Sequence, residues 1–147
     1  MRILAAALAL ILTTSPALAQ NTDDDVFAAL EGVYGIEEAG NFEAYFTALT
    51  TAFAEDDRAT IAAMGGYPFE VAANGELYDI LAPEDLIANF DALLLPETVD
   101  AIAAQDYADL IVTDEGVGFA NGALWLANVC ADEACASSDW LITRISN

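Results

Sequence analysis

The chain has 147 residues, of which 25 are acidic and only 3 are basic, and its formal net charge is −22. It contains no histidine, which excludes Ser-His-Asp and Cys-His catalysis and any metal or haem site with imidazole ligands. The charge argues against nucleic acid and anionic membrane surfaces as partners, because binding to both requires positive charge on the protein.

Residues 1–19 have the features of a secretory signal peptide. Arg2 supplies the positive start, an unbroken apolar run follows from Ile3 to Leu12, and Ala17-Leu18-Ala19 fits a small-x-small cleavage site. The apolar run is about half the roughly 20 residues that a membrane-spanning helix needs. We therefore expect cleavage near Ala19-Gln20 and a periplasmic or secreted bacterial protein.

The acidic residues are scattered along the remaining chain and not massed in one tract. This scatter favours a general adaptation to solubility and salt, and the alternative is a surface for a cationic partner or a divalent metal. None of the short acidic clusters has the ligand spacing of a calcium-binding loop, so we expect no metal site. These clusters are Asp23–Asp25, Glu55–Asp57, Asp114–Glu115 and Asp132–Glu133. We also expect no cofactor, because Gly116, Gly118 and Gly122 lack the spacing and the following lysine of a phosphate-binding loop.

Helical spacing dominates the first part of the chain. Residues 20–25 predict a flexible leader, and a single domain is expected over residues 26–147, opening with a helix from Val26. Gly35 and Gly40 predict a break, after which Asn41 would cap a second helix. The apolar residues of that helix recur with the helical period: Phe42, Tyr45, Phe46, Leu49 and Phe53. A short helix is predicted from Asp57 to Met64.

After this helix, the spacing of apolar residues changes to the alternation that is typical of β-strands. The alternating runs 67–71 and 77–80 flank Asn74-Gly75, which predicts a β-hairpin. Pro83 predicts the first turn of another helix, which Pro96 ends, and residues 97–104 predict one or two further helical turns. The remainder predicts an antiparallel meander with strands near 106–113, 117–119 continuing to 123–129, and 139–145.

Cys130 and Cys135 enclose four residues between two of these strands. In an exported protein this arrangement predicts a cross-strand disulfide. The alternative is a redox pair, but that chemistry usually uses Cys-x-x-Cys at a helix N-terminus, where the thiolate is stabilised.

Alternation places Arg144 on the same strand face as Trp140 and Ile142. If that face is the interior, a carboxylate or an anionic ligand must accompany the charge. An ordinary ion pair is the plainer expectation in so acidic a protein. The candidates to line a cavity are Tyr67, Tyr78, Tyr107, Trp125 and Arg144, although the aromatic residues also suit ordinary core positions.

Several segments carry a family resemblance: Tyr67-Pro68-Phe69, Gly116-Val117-Gly118, Asn121-Gly122 with Trp125, Asn89-Phe90-Asp91 and Gln105. They resemble small periplasmic proteins of the nuclear transport factor 2-like superfamily, which also includes ketosteroid-isomerase-like and polyketide-cyclase-like enzymes. The resemblance covers roughly residues 41–145. It implies an α+β fold whose N-terminal helices pack on a strongly curved, cone-like antiparallel sheet around an apolar cavity.

The resemblance does not decide the function, because members divide between enzymes and non-catalytic binding or dimerisation modules. We expect a non-catalytic domain that binds a small apolar ligand or a protein partner, with a homodimer also open. The enzymatic alternative would use Asp91 in the cavity as general base and the hydroxyl of Tyr67 or Tyr107 to stabilise an enolate-like oxygen. No catalytic residue is carried over from the superfamily.

Overall fold

The computed structural model describes residues 21–147, so the expected signal peptide lies outside the described residues. This part of the chain forms five α-helices and six strands. The helices are α1 (Asp23–Tyr34), α2 (Ile36–Ala54), α3 (Arg58–Ala63), α4 (Pro83–Leu93) and α5 (Pro96–Ala103). The strands are β1 (Gly65–Ala73), β2 (Glu76–Ile80), β3 (Ile111–Thr113), β4 (Gly116–Phe119), β5 (Leu124–Cys130) and β6 (Ser138–Ser146). None of the helices within residues 21–147 combines the length and apolar character needed to cross a membrane.

α1 begins inside the segment predicted to be a flexible leader. The hydroxyl of Thr22 accepts a hydrogen bond from the Asp25 amide, and the Asp25 carboxylate accepts one from the Thr22 amide at 2.9 Å. This reciprocal capping box satisfies amides that the first turn of a helix would otherwise leave without partners. Residues 23–25 therefore belong to the folded domain.

The predicted break between α1 and α2 is confirmed at Gly35 and wrong at Gly40. α2 begins at Ile36 and continues through Gly40 and Asn41, so Asn41 is not a helix cap. Gly35 alone separates the helices, with a φ of 92° that favours glycine. Apolar and acidic residues after Gly35 are compatible with a helix, and the two weak helix formers at 40 and 41 do not interrupt it.

The strands form one mixed sheet in the order β2-β1-β6-β5-β4-β3. The β1–β2 hairpin turns at Asn74-Gly75 as predicted, and β3 to β6 form an antiparallel meander as predicted. The predicted continuation of 117–119 into 123–129 is wrong, because the chain turns at Ala120–Gly122 and β4 pairs with β5 antiparallel. β1, however, pairs with β6 in parallel. The expectation of a wholly antiparallel, cone-like sheet is therefore wrong: the hairpin joins the meander side by side, and the sheet stays open without strong curling.

The first strand of the meander is shorter than predicted. Tyr107–Asp109 forms a 3₁₀ turn, and β3 covers only Ile111–Thr113. The carboxylate of Asp106 accepts a hydrogen bond from the Ala108 amide at 3.3 Å, which stabilises the turn in place of an extended strand.

An extra residue in β6 reverses the face on which Arg144 lies. Leu126 pairs with Ile142, whereas its neighbour Trp125 pairs with Arg144, so Thr143 forms a β-bulge. Beyond the bulge, Ile145 occupies the buried side and Arg144 is exposed on the other. The prediction that Arg144 shares the face of Ile142 is therefore wrong, because strict alternation does not hold across a bulge.

Cys130 and Cys135 form a disulfide, with their Cα atoms 4.7 Å apart. The predicted bond is confirmed, but it does not cross the ladder, because the partner of Cys130 on β6 is Ser138. The Asp132 carbonyl oxygen accepts a hydrogen bond from the Cys135 amide, and the resulting turn brings Cys135 back to the end of β5. The disulfide therefore closes the β5–β6 connection.

The buried Gly116 allows β4 to lie close to β5. Gly116 has a φ of 151°, and a methyl group added there would overlap the carbonyl oxygen of Leu126. We expect Gly116→Ala to lower the free energy of unfolding by about 2–4 kcal/mol, because it adds both backbone strain and a steric clash.

The matched control is Gly32→Ala in α1, where an added methyl meets no neighbouring atom within 4 Å. It should raise the free energy of unfolding by about 0.5–1 kcal/mol, because alanine restricts the unfolded chain and favours the helix. Urea unfolding followed by circular dichroism measures both variants. Equal stabilities of the two variants would contradict this packing of β4 on β5.

Candidate binding surface

Aromatic rings fill the space between the helices and the sheet. This aromatic cluster consists of Tyr34, Phe42, Phe46, Tyr107, Phe119 and Trp140. Phe42 is fully buried and meets Trp140 edge to face, with ring centroids 4.8 Å apart. Phe46 stacks on Phe119 at 5.6 Å. Side chains therefore occupy the region in which a cone-like fold would hold an apolar ligand.

Tyr107 belongs to this cluster and also lines a cleft at the surface. Its hydroxyl is buried, with no hydrogen-bond partner among the described residues. A surface cleft of 270 Å³ between α1 and α2 reaches Tyr107. Burial, and then the charges of Glu43 and Asp23, raise the pKa of Tyr107, so the hydroxyl stays protonated at neutral pH.

Asp91 lies on the surface of α4 in an ion pair with Arg58 of α3. The guanidinium donates to both carboxylate oxygens at 2.9 and 2.7 Å, and the Asp91 side chain is 81% exposed. These hydrogen bonds hold the pKa of Asp91 below its usual value. An exposed carboxylate held in its ionised form by Arg58 lacks the apolar surroundings that the general-base alternative requires.

Tyr67 is half-buried and has a partner of its own. Its hydroxyl donates to the carbonyl oxygen of Ala62 in α3 at 2.7 Å, and burial raises its pKa to about 12. The structure thus gives Asp91, Tyr67 and Tyr107 three separate environments: the ion pair, the end of α3 and the aromatic cluster.

Trp125 and Arg144 do come together, on the face of the sheet opposite the helices. The Arg144 guanidinium lies 5.3 Å from the ring centroid of Trp125, a cation–π contact. With Glu70, Glu115 and Thr143 they line a shallow cleft of 260 Å³. The charge of Arg144 therefore has an aromatic neighbour on the surface and needs no buried anion.

The remaining cavity candidate, Tyr78, lines a cleft of 410 Å³ between β2 and α4. We call it the β2–α4 cleft. Its lining residues are Asn74, Tyr78, Asp79, Ile80, Leu81, Asp85, Asn89, Ala92 and Leu93. The Tyr78 hydroxyl donates to Glu76 at 2.8 Å, and this hydrogen bond raises its pKa.

The β2–α4 cleft combines apolar surface with polar groups. Ile80 and Leu93 are almost fully buried beneath it, whereas Leu81 is 67% exposed at its rim. The amide groups of Asn74 and Asn89 donate to main-chain carbonyl oxygens of α4, at 3.2 and 2.9 Å. These bonds fix the orientation of both side chains at the cleft.

Sequence reasoning missed most of this cleft. The available signal was Leu81, an apolar residue placed between the end of a strand and the proline that opens a helix. Because Leu81 lies between two elements, neither strand alternation nor the helical period predicts which residues surround it. The cleft becomes evident only from the packing of α4 beside β2.

Comparisons with known proteins give no relative: no family model, curated protein or solved structure matches this chain. Within residues 21–147, no group of three or more acidic or cysteine side chains is arranged to hold a metal ion. The surface geometry described above is therefore the basis for assigning a function.

The ion pair of Asp91 gives a direct test of its electrostatic role. In Arg58→Ala the pKa of Asp91 should rise towards its usual 3.8, because the donors to its oxygens are removed. Because the pKa of Asp91 is lower in the folded protein than in the unfolded chain, the ion pair stabilises the fold fully at pH values above the unfolded pKa. The contribution is lost as the pH falls through the folded pKa.

Carbon-13 NMR titration of the carboxyl groups measures this shift. Asp25 is the internal control, because Thr22 and not Arg58 lowers its pKa, which should not change in the variant. An Asp91 pKa above the usual value in the unmodified protein would contradict the ion pair and favour a general base.

Proposed function

We propose that the protein is an exported, non-catalytic binding module related to the nuclear transport factor 2-like superfamily by its order of elements, and that its binding site is the β2–α4 cleft. The export proposal is supported by the pattern of residues 1–19. The superfamily relationship is supported by the order of elements alone, in which helices precede a hairpin, a further helix and a meander.

The observation that carries the proposal is the contrast between a filled interior and an open cleft. The aromatic cluster occupies the space beneath the sheet, whereas the β2–α4 cleft is accessible and has the mixed lining of a recognition site. Leu81 offers exposed apolar surface, and Asn74 and Asn89 add oriented polar groups.

A protein partner fits this cleft better than a small apolar ligand. Sites for small ligands bury most of the ligand surface, whereas this cleft is open along one side. Two acidic residues, Asp79 and Asp85, also line it, and a purely apolar ligand would reduce the hydration of charged groups there without offering a hydrogen bond. The enzymatic alternative is not proposed, because Asp91, Tyr67 and Tyr107 each have separate surroundings.

Solvent mapping by NMR tests the location of the site. Isopropanol, titrated to a few per cent by volume, should shift the amide resonances of Leu81, Asn89 and Ala92 in a saturable way, because small amphiphiles collect where apolar and polar groups meet. Leu81→Ser should weaken these shifts by removing the apolar rim.

The matched control is Ile36→Ser, since Ile36 is 61% exposed on α2, away from the cleft. This variant should leave the shifts at Asn89 and Ala92 unchanged. Saturable shifts that concentrate on the aromatic cluster, or none at the cleft, would contradict the proposal.

A further inference from the structure

We propose that the occupant of the β2–α4 cleft is an extended, cationic polypeptide segment that joins the sheet as a strand beside β2. This inference rests on the proposed function and specifies the chemistry of the partner. It is carried by the free edge of β2, the position of the cleft beside that edge, and the charge around it.

β2 has backbone groups free to pair with another strand. The hairpin pairs Ala73 with Glu76 across a two-residue turn, and Val71 with Tyr78. Because hydrogen-bonding direction alternates along an antiparallel ladder, the N–H and C=O groups of Leu77 and Asp79 point away from β1. Among the described residues, no hydrogen bond outside the strand ladders uses these main-chain groups.

The unpaired edge of β2 is bounded at both ends. Asn74-Gly75 turns the chain at one end, and at the other the Asp85 carboxylate accepts hydrogen bonds from the Leu81 and Ala82 amides at 3.2 and 3.1 Å. The five residues of β2 between these points therefore form a short, defined docking edge.

The opposite edge of the sheet is protected. β3 has only three residues, and the hydroxyl of Tyr34 in α1 donates to the carbonyl oxygen of Thr113 at 2.6 Å. Short strands and covered main-chain groups are common ways of preventing unwanted pairing at a sheet edge. Within residues 21–147 nothing covers the main-chain groups of β2 in this way, so β2 is the edge suited to accept a strand.

The cleft lies where the side chains of an added strand would need space. Successive side chains of a strand point to opposite faces of the sheet. Every second side chain of the incoming segment would therefore lie between the inward residues of β2, Tyr78 and Ile80, and the flank of α4 at Asn89 and Ala92. Strand addition with side chains held in pockets is an established mode of peptide recognition.

The charge around the edge selects a cationic segment. Glu76 and Asp79 are exposed on β2, and Asp85 lines the cleft from α4. The two arginines of the described residues lie elsewhere, Arg58 bound to Asp91 and Arg144 over Trp125. A second copy of this chain would bring further carboxylates to these acids, and like charges opposed across strands are destabilising.

Amide hydrogen exchange in the ¹⁵N-labelled protein tests this mode. The probe is a blocked heptapeptide of alternating lysine and valine, at low salt because screening weakens exposed charge pairs. At saturation, exchange of the Leu77 and Asp79 amides should slow at least tenfold, with smaller changes on β3. A heptapeptide of alternating glutamate and valine should not bind, and equal binding by it would overturn the charge selection.

Two N-methylated versions of the lysine–valine peptide form a matched pair. Methyl groups on the amides that face β2 should weaken binding at least tenfold, whereas methyl groups on the alternate amides should have little effect. Leu77→Pro gives the same test from the protein side, since it removes an edge amide and spares the β1 ladder. Leu77→Ala is its control and should bind normally.

The outcomes separate this inference from the proposed function. Peptide-induced shifts at Leu81 and Asn89 without slower exchange of the edge amides would overturn strand addition and leave the cleft as the binding site. No shifts at the cleft with either the peptide or isopropanol would contradict both proposals. Slow exchange of the edge amides without peptide, together with a dimer in sedimentation, would assign the edge to a second copy.

Discussion

The edge-to-face packing of Phe42 against Trp140 joins α2 to β6 and holds the helical layer against the sheet. Phe42 also lies 6.3 Å from Phe119 of β4, so one side chain connects the helical layer to two strands of the sheet. Aromatic pairs add to the stabilisation that burial alone provides. Removing a buried phenylalanine typically costs about 3–5 kcal/mol, a large share of the stability of a small domain.

Because side chains fill the interior of residues 21–147, the recognition site that we propose lies on the surface. Among the described residues, the two sheet edges differ: α1 covers the β3 edge, whereas the β2 edge is open beside a cleft. The sheet face opposite the helices carries Trp125 with Arg144. Carboxylates surround most of these features, so a cationic partner would be attracted to the domain before it reached the β2–α4 cleft.

The elements that have a strong local signal were predictable from the sequence. Asn74-Gly75 predicted the hairpin, because few residues accept the positive φ of such a turn. Pro83 predicted the start of α4 for the complementary reason, since proline fits the first turn of a helix. Pro96 was interpreted only as a helix breaker, although it is the first residue of α5. The Cys130–Cys135 bond followed from spacing and the expected compartment.

Features that depend on distant parts of the chain were not predictable. Alternation in β1 predicts a strand but carries no information on its partner, so the parallel pairing with β6 was missed. The bulge at Thr143 moved Arg144 to the surface although its sequence pattern is regular. The cleft arises because α4 packs beside β2, and Leu81 and Asn89 have no local pattern that indicates this contact.

The most direct test of the central claim, that the interior is closed to ligands, is thermal unfolding in benzene-saturated buffer. Engineered apolar cavities bind benzene, and a ligand of the native state raises the melting temperature. Phe42→Ala should melt at a lower temperature than the unmodified protein, and benzene should raise its midpoint while leaving that of the unmodified protein unchanged. An equal rise in the midpoint of the unmodified protein would contradict the account, because its interior would then already contain a binding cavity.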